Sequence, residues 1–265
     1  MIRKLFLFSG GAFLVALVCL AGAAALVSNE VGTKGWNIGL IKDGDHLRIG
    51  KGEAGKPEPS TSKTIAWTGG DLLAVDLPAD VVYTQGPAAS VTITGPQSLV
   101  NRITLDNGRL SIADGPEHRE SVNFTWGKDG FEARTSHQGA RITVTAPNVK
   151  RFEMTGSGDL DLRGYDQPSI DISIAGSGSV HAVGRTQALK LNVSGSGSAD
   201  LAALETKDAD VSVNGSGDAT IHATGNAKID ISGSGNVDLA TKPAKIDTTI
   251  SGSGTVDNGD DASDN

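Results

Sequence analysis

The sequence predicts an all-β protein whose C-terminal half is a β-solenoid, and three features lead to this prediction. The tripeptide Gly-Ser-Gly occurs six times at nearly constant spacing. Apolar residues stand at alternate positions on both sides of each tripeptide. Glycine accounts for 35 of the 265 residues, nearly twice the usual share of about 7%, and it does not recur at every third position, which excludes a collagen helix.

The Gly-Ser-Gly triplets mark an internal repeat that spans residues 152–257. They begin at residues 156, 176, 195, 215, 233 and 252, so successive triplets are 20, 19, 20, 18 and 19 residues apart. Self-similarity at a fixed period of this length is typical of repeat architectures. The structural repeat positions are Gly156, Gly158, Gly176, Gly178, Gly195, Gly197, Gly215, Gly217, Gly233, Gly235, Gly252 and Gly254.

The apolar residues around each triplet share one parity. Phe152 and Met154 precede the first triplet, Leu160 and Leu162 follow it, and both glycines fall on the same even positions. A period of two is the pattern of one face of a strand. We therefore predict that the glycines face inward, that each serine faces outward, and that every repeat is a strand, a glycine corner, a second strand and a turn.

One repeat of this size cannot bury its own apolar side, because a single strand pair is marginal in water. Stacked repeats would place the apolar residues in continuous interior columns, and each repeat would be stabilised by its neighbours. The alternative fold is a β-sandwich of hairpins in which Gly-Ser-Gly forms tight turns. The nearly constant period favours the solenoid.

The N-terminal segment predicts export. Arg3 and Lys4 are followed by residues 5–27, which carry no charge and end in a cluster of small residues at positions 21–25. This order is typical of a secretory signal peptide that is cleaved after an Ala-x-Ala-like site. The alternative is an uncleaved membrane anchor, because about 20 apolar residues can span a bilayer. In either case the basic residues precede the apolar segment, so the rest of the chain should cross the membrane.

The whole chain divides into four segments by composition. Residues 1–27 are the signal peptide or anchor, residues 28–63 a flexible polar linker, residues 64–257 one β-rich domain that ends in the repeats, and residues 258–265 an acidic tail. Short alternating runs punctuated by Gly-Pro and Asn-Gly pairs predict strands before the repeats. Residues 117–139 are poorly patterned, which indicates a long excursion.

Composition excludes several functional classes. The single cysteine, Cys19, lies in the apolar leader, so neither a disulfide framework nor a cysteine metal cluster can form. The net charge of −8 disfavours a nucleic-acid binder that uses a basic surface. No nucleophile elbow, phosphate loop, pair of metal-binding histidines or dinucleotide fingerprint occurs. We therefore expect no cofactor.

Acidic residues concentrate in the repeats, where residues 156–265 hold 16 acidic and 7 basic residues. Positions one and three residues after each second glycine lie on the outward parity, so stacking would align them in two polar columns. Carboxylate and amide oxygens suit calcium, and the candidate ligands are Asp238, Asp257, Asn236 and Thr255. The alternative, which we favour, is a solvated face whose charges prevent pairing with other sheets.

The order of these features resembles the putative auto-transporter adhesin head GIN domain family of bacterial envelope proteins. The resemblance covers about residues 65 to 257, and its repeat is more specific than any single motif. The segments that carry it are 73–77, 82–86, 90–95, 107–112, 142–147 and 152–158, followed by the remaining triplets. The resemblance implies a β-helix-like fold, a location in the cell envelope and no catalytic residues.

The functional prediction is a non-enzymatic, exported, adhesin-like module of the cell envelope, located in the periplasm, on the outer surface or at the membrane. Its expected partner is a protein or glycan surface, with no nucleic acid and with membrane contact only through the N-terminal segment. One alternative is a polysaccharide-active enzyme on a β-helix, an analogy at the level of the fold. Another is a membrane-tethered periplasmic accessory domain, which requires a retained anchor.

Overall fold

The computed structural model describes residues 36–43, 46–51, 59–113, 121–127, 130–135 and 140–258, with side chains in 59–113 and 140–258. The part of the chain that the structure describes is almost all β, and its C-terminal region is a stacked β-solenoid of about five turns. The predicted fold class is therefore confirmed. In chain order the elements are β1 (Trp36–Asp43), β2 (His46–Lys51), β3 (Ser60–Ala66), β4 (Leu72–Asp76), β5 (Asp80–Gln85), β6 (Ser90–Pro96), α1 (Gln97–Val100), β7 (Ile103–Asp106), β8 (Arg109–Ile112), β9 (Ser121–Gly127), β10 (Gly130–Thr135), β11 (Arg141–Ala146), β12 (Arg151–Gly156), β13 (Asp159–Gly176), β14 (Ser179–Gly195), β15 (Ser198–Gly215), β16 (Asp218–Ala223), β17 (Asn226–Gly233), β18 (Asn236–Leu239), β19 (Lys245–Gly252) and β20 (Thr255–Asp257).

The chain forms two compact units. The smaller consists of Met1–Pro57 and Pro116–His137, and the larger of Glu58–Gly115 and Gln138–Asn265. In the smaller unit four antiparallel strands form one sheet in the order β10-β9-β1-β2. The apolar leader, residues 5–27, lies outside the described residues, and within the described part no helix is long and apolar enough to cross a membrane.

The strands at the start of the chain correct one expectation. Residues 28–63 were predicted to be a flexible linker, but they contain β1, β2 and, in the larger unit, the start of β3. Residues 117–139 were predicted to be a long excursion, and Pro116–His137 do leave the larger unit and contain β9 and β10 of the smaller one. The reason is that β1 pairs with β9, which lies about 80 residues later in the chain. Backbone hydrogen bonds between distant segments supply order that neither segment shows in its own pattern.

The larger unit is built from two walls of parallel strands. Wall A contains the strands that lead into the triplets: β4, β12, the C-terminal parts of β13, β14 and β15, then β17 and β19. Wall B contains the strands that leave them: β5, the N-terminal parts of β13, β14 and β15, then β16, β18 and β20. The long strands β13, β14 and β15 each run through three sides of a coil. Their register shifts where wall B ends, and a short third side then joins wall B to wall A.

The Gly-Ser-Gly triplets form the corner between the two walls. The first glycine of each triplet has a positive φ, between 110° at Gly156 and 134° at Gly252, a conformation that side chains with a Cβ rarely adopt. Hydrogen bonding between coils continues through the corner, because the backbone N–H of each following serine donates to the first glycine of the coil before it. One example is the 2.9 Å bond from Ser177 to Gly156.

The second glycine of each triplet lies inside the corner and leaves no room for a side chain. A Cβ added to Gly217 would lie 2.5 Å from the carbonyl oxygen of Gly197 and 2.6 Å from Cγ1 of Val193. The expectation that both glycines face inward holds only for this second glycine, which is buried in the first five triplets. The first glycine is exposed or half-buried because its positive φ turns the chain there and interrupts the alternation.

The interior is a set of aligned apolar columns. Phe152, Ile172, Leu191, Val211 and Ile229 follow one another in register and are all buried. At the start of this column the Phe152 ring packs edge-on against Tyr83 and Tyr165, with ring centroids 5.1 and 6.0 Å apart. Each coil therefore buries its apolar side against its neighbours.

The two ends of the solenoid differ. At the N-terminal end wall A finishes in the β7–β8 hairpin, whose turn uses positive φ at Asn107 and Gly108 as the Asn-Gly pair predicts. Wall B finishes in β11, β6 and β3, with α1 directly after β6. At the C-terminal end β19 pairs only with β17 among the described residues.

The corner geometry predicts that Gly217→Ala destabilises the fold. The new Cβ would meet a backbone carbonyl that cannot rotate away, so we expect the free energy of unfolding to fall by about 1–3 kcal/mol. Ser216→Ala is the matched control, because Ser216 is exposed, and it should stay within about 0.5 kcal/mol of the wild type. Urea unfolding followed by circular dichroism measures both. Equal stability of the two variants would contradict the stacked corner.

Candidate interaction surfaces of the solenoid

The first predicted polar column forms a hydrogen-bonded ladder on wall B. Near the N-terminal end Ser179 donates to Asp159. Further along, the Nδ2 and backbone N–H of Asn236 both donate to Oδ1 of Asp218, each at 3.0 Å. Oγ1 of Thr255 then donates to Oδ1 of Asn236 at 2.7 Å. These contacts join successive coils through their outward side chains.

The second predicted column runs beside the first and contains Asp161, His181, Asp200, Thr220, Asp238 and Asp257. Arg163 donates to Oδ2 of Asp161 from Nη2 at 2.5 Å and from Nε at 2.8 Å. Nδ1 of His181 lies 3.4 Å from Oδ2 of Asp200. Within this column Asp161 is thus held by an arginine, and Asp200 lies beside a histidine ring.

The four candidate calcium ligands lie on the last two coils. Asn236 and Thr255 are register partners in the first column, and Asp238 and Asp257 are partners in the second. Asn236 already bonds to both of its column neighbours. Among the residues that the structure describes, no group of three or more His, Cys, Asp or Glu side chains could hold a metal ion. Cation binding at these four residues stays a prediction.

A third column, on wall A, was not identified from the sequence. Its residues alternate in sign, and each is a register partner of the next. This charged column consists of Arg151, Asp171, Lys190, Asp210, Lys228 and Asp247. Each member stands five positions before the first glycine of its triplet, so the triplet spacing would have revealed the column if charge had been examined at that offset.

Ion pairs hold the first and the fifth members of the charged column. Nη2 of Arg151 lies 2.9 Å from Oδ1 of Asp71, which precedes β4. The hydrogen bond from Arg151 lowers the pKa of Asp71 below its usual value. Nζ of Lys228 lies 2.8 Å from Oδ2 of Asp230 and 3.9 Å from Oδ1 of Asp210. The hydrogen bond to Asp230 raises the pKa of Lys228, and the same bond lowers the pKa of Asp230.

A shallow groove follows the N-terminal half of the charged column. Its volume is about 480 Å³, and its charged lining is Asp71, Lys150, Arg151, Asp171, Lys190 and Asp210. Ile170 and Leu189 also line it, although their side chains are only 2% and 3% exposed. The groove therefore presents alternating charges over an apolar floor. Neighbouring β-strands are about 4.8 Å apart, and that distance sets the spacing of the charges.

The third side of the coil carries a shorter charged row. Asp166, Arg185 and Glu205 are register partners, and Nη2 of Arg185 lies 2.9 Å from Oδ2 of Asp166. The hydrogen bond from Arg185 lowers the pKa of Asp166. Gln85 completes the row, because its side-chain amide donates to the backbone oxygen of Asp166 and accepts from its N–H. At the first coil the side-chain amide of Gln85 thus makes the backbone hydrogen bonds that a neighbouring strand makes in later coils.

Two tyrosines in the core have structural roles. The hydroxyl of Tyr83 donates to the carbonyl oxygen of Ala146 at 2.8 Å, and that of Tyr165 donates to Ser169 at 2.7 Å. Burial raises the pKa of Tyr83 to about 12 and raises that of Tyr165 further. Both phenols therefore remain protonated at neutral pH and serve as hydrogen-bond donors to the backbone.

Known proteins resemble this chain in fold. Residues 71–243 match the family model described as putative auto-transporter adhesin, head GIN domain. The solved structure of a putative adhesin from Bacteroides fragilis NCTC 9343 is 18% identical with a TM-score of 0.53, and the alignment covers 75% of this chain and 96% of that chain. At this identity the similarity shows a shared fold.

Two structures from Parabacteroides distasonis ATCC 8503 are also similar at 18% identity. A putative adhesin has a TM-score of 0.47, covering 76% of this chain and 97% of that chain. A putative lipid binding protein has a TM-score of 0.45, covering 75% of this chain and 96% of that chain. No curated protein matches the sequence.

The charged column predicts a position-specific effect of charge reversal. Asp210 lies between Lys190 and Lys228, so Asp210→Lys would place three like charges in a row, and like charges on opposed strand positions are destabilising. We expect a melting temperature a few degrees lower at low salt, with the difference shrinking at high salt as the charges are screened. Thermal unfolding at two salt concentrations measures this effect.

The matched control for this prediction is Ser212→Lys. Ser212 stands two positions further along the same strand, and its register partners are Asn192 and Asp230. A lysine there meets no like charge in register and should leave the melting temperature nearly unchanged. An Asp210→Lys protein that melts like the Ser212→Lys protein would show that the alternation of charge does not stabilise the stack.

Proposed function

The chain belongs to the family of putative auto-transporter adhesins with a head GIN domain, and from this we propose that it is a non-enzymatic, exported protein of the bacterial cell envelope that binds a ligand through wall A. The ligand in this proposal is a surface polymer, either a glycan or a protein. The observation that carries the proposal is the groove along the charged column.

The groove suits an extended ligand because its charges are fixed at regular intervals. A β-solenoid holds its outward side chains at the spacing of paired strands. Arg151, Asp171, Lys190 and Asp210 present both signs within one lining. Charges on a surface that complement those of a ligand contribute more to the register and specificity of binding than to its affinity. A polymer with regularly spaced polar groups would contact several coils at once.

The electrostatics of the described residues support binding over acid–base chemistry. The carboxylates with shifted pKa values, such as Asp71 and Asp166, are exposed, and hydrogen-bond donors shift the values downward. A general acid or base works best when its pKa lies near the working pH. Groups held ionised by exposed ion pairs act as fixed charges, which is the property that a contact surface requires.

The export part of the proposal predicts a processed N-terminus. In the native envelope we expect the chain to begin after the small-residue cluster at positions 21–25, because small residues there fit signal peptidase cleavage. Mass spectrometry of the N-terminal peptide checks this expectation. Ala21→Asp combined with Ala23→Asp should retain the leader. A wild-type chain that begins at residue 1 or 2 and stays with the membrane would favour the tethered alternative, and one found in the cytoplasm would overturn export.

The binding part of the proposal predicts loss of affinity in groove variants. Dissociation constants should be measured against a panel of envelope polysaccharides and purified envelope proteins. For any ligand bound, Arg151→Ala with Lys190→Ala should weaken binding by about tenfold or more. Arg163→Ala is the control, because Arg163 lies on wall B and is also exposed. Equal loss in both variants would exclude the groove, and new reducing ends or unsaturated products would overturn the non-enzymatic assignment.

A further inference from the structure

The C-terminal end of wall A is an open strand edge. Among the described residues β19 pairs only with β17. Its inward-facing residues lack a covering coil, so the Ile250 side chain is 43% exposed, whereas its register partner Ile231 is 1% exposed. Ile246 and Val256 of the same coil are partly buried. An exposed strand edge beside exposed apolar side chains is a template for pairing with another strand.

The backbone groups on this edge alternate in direction. The backbone N–H of Lys245 donates to the carbonyl oxygen of Gly225, so within β19 the odd-numbered residues face the neighbouring coil. Successive residues of a strand point their N–H and C=O groups to opposite sides. The backbone groups of Ile246, Thr248 and Ile250 therefore face the open side of β19.

The sequence of β19 is complementary to itself in the antiparallel direction. If two copies pair about Thr248, Ile246 of one copy lies opposite Ile250 of the other, and both face the interior. On the outer side Lys245 would oppose Ser251, and Asp247 would oppose Thr249. No like charges meet directly, and the open backbone groups of even-numbered residues face one another as antiparallel pairing requires. This arrangement has twofold symmetry, the commonest symmetry of homo-oligomers.

We propose that the open C-terminal coil is a homodimerisation surface on which β19 pairs antiparallel with β19 of a second copy about Thr248. The pairing covers Ile246 and Ile250 of both copies.

Cysteine cross-linking in the envelope tests this proposal on the full-length protein. In a Cys19→Ala background, Thr248→Cys places two cysteines on the twofold axis, within the range of a disulfide between paired strands. After mild oxidation we expect a species of twice the monomer mass, in about tenfold excess over that formed by the Ser194→Cys control, an exposed position on wall A. Equal cross-linking of the two variants, or a product of another mass at Thr248→Cys, would overturn the proposal.

The register is tested with two differently tagged copies. A copy with Asp247→Cys should cross-link to a copy with Thr249→Cys, and two Asp247→Cys copies should not cross-link to each other, because position 247 opposes 249. Adding Ile250→Lys to the Thr248→Cys protein should abolish its dimer and leave the monomer folded, since Ile250 is already half-exposed in the monomer. Adding Ser194→Lys is the control for charge. A dimer that survives Ile250→Lys, or the same yield in every pairing, would overturn the proposed interface.

Discussion

The close approach of backbones at the Gly-Ser-Gly corner is the constraint on which the rest of the solenoid depends. At Gly235 an added Cβ would lie 2.1 Å from the carbonyl oxygen of Gly217, and at Gly254 it would lie 2.3 Å from that of Gly235. Only glycine permits this approach. Because the corners stack directly, residues at the same offset from each triplet are register partners in successive coils.

Because of this alignment, residues that recur with the period of the sequence form continuous surfaces in the structure. Inside, register partners form apolar columns that stabilise each coil through its neighbours. Outside, the same alignment produces a hydrogen-bonded ladder on wall B and the charged column on wall A. Exposed ion pairs individually contribute little to stability, so the value of the charged column lies in its regular order. A rigid lattice of alternating charges is a property that a binding surface can use.

The two ends of the stack have different consequences. Further strands continue both walls at the N-terminal end, namely the β7–β8 hairpin on wall A and β11, β6 and β3 on wall B. The last coil lacks such a continuation in the described chain, and its inward-facing apolar side chains are more exposed than those of any earlier coil. Natural β proteins usually protect such edges. The apolar and backbone groups of β19 remain suited to one specific partner strand.

The sequence by itself determined the repeat, the solenoid and the parity of the core, because period-two alternation and regular glycine spacing are local properties of the chain. It also contained the charged column, since residues such as Lys190 and Asp210 stand at a fixed offset from their triplets. Only the tertiary structure decided that β1 pairs with β9, because no local pattern records a partner about 80 residues away. It alone decided that the first glycine of each corner faces outward and that the last coil is left open, since both depend on how neighbouring coils stack.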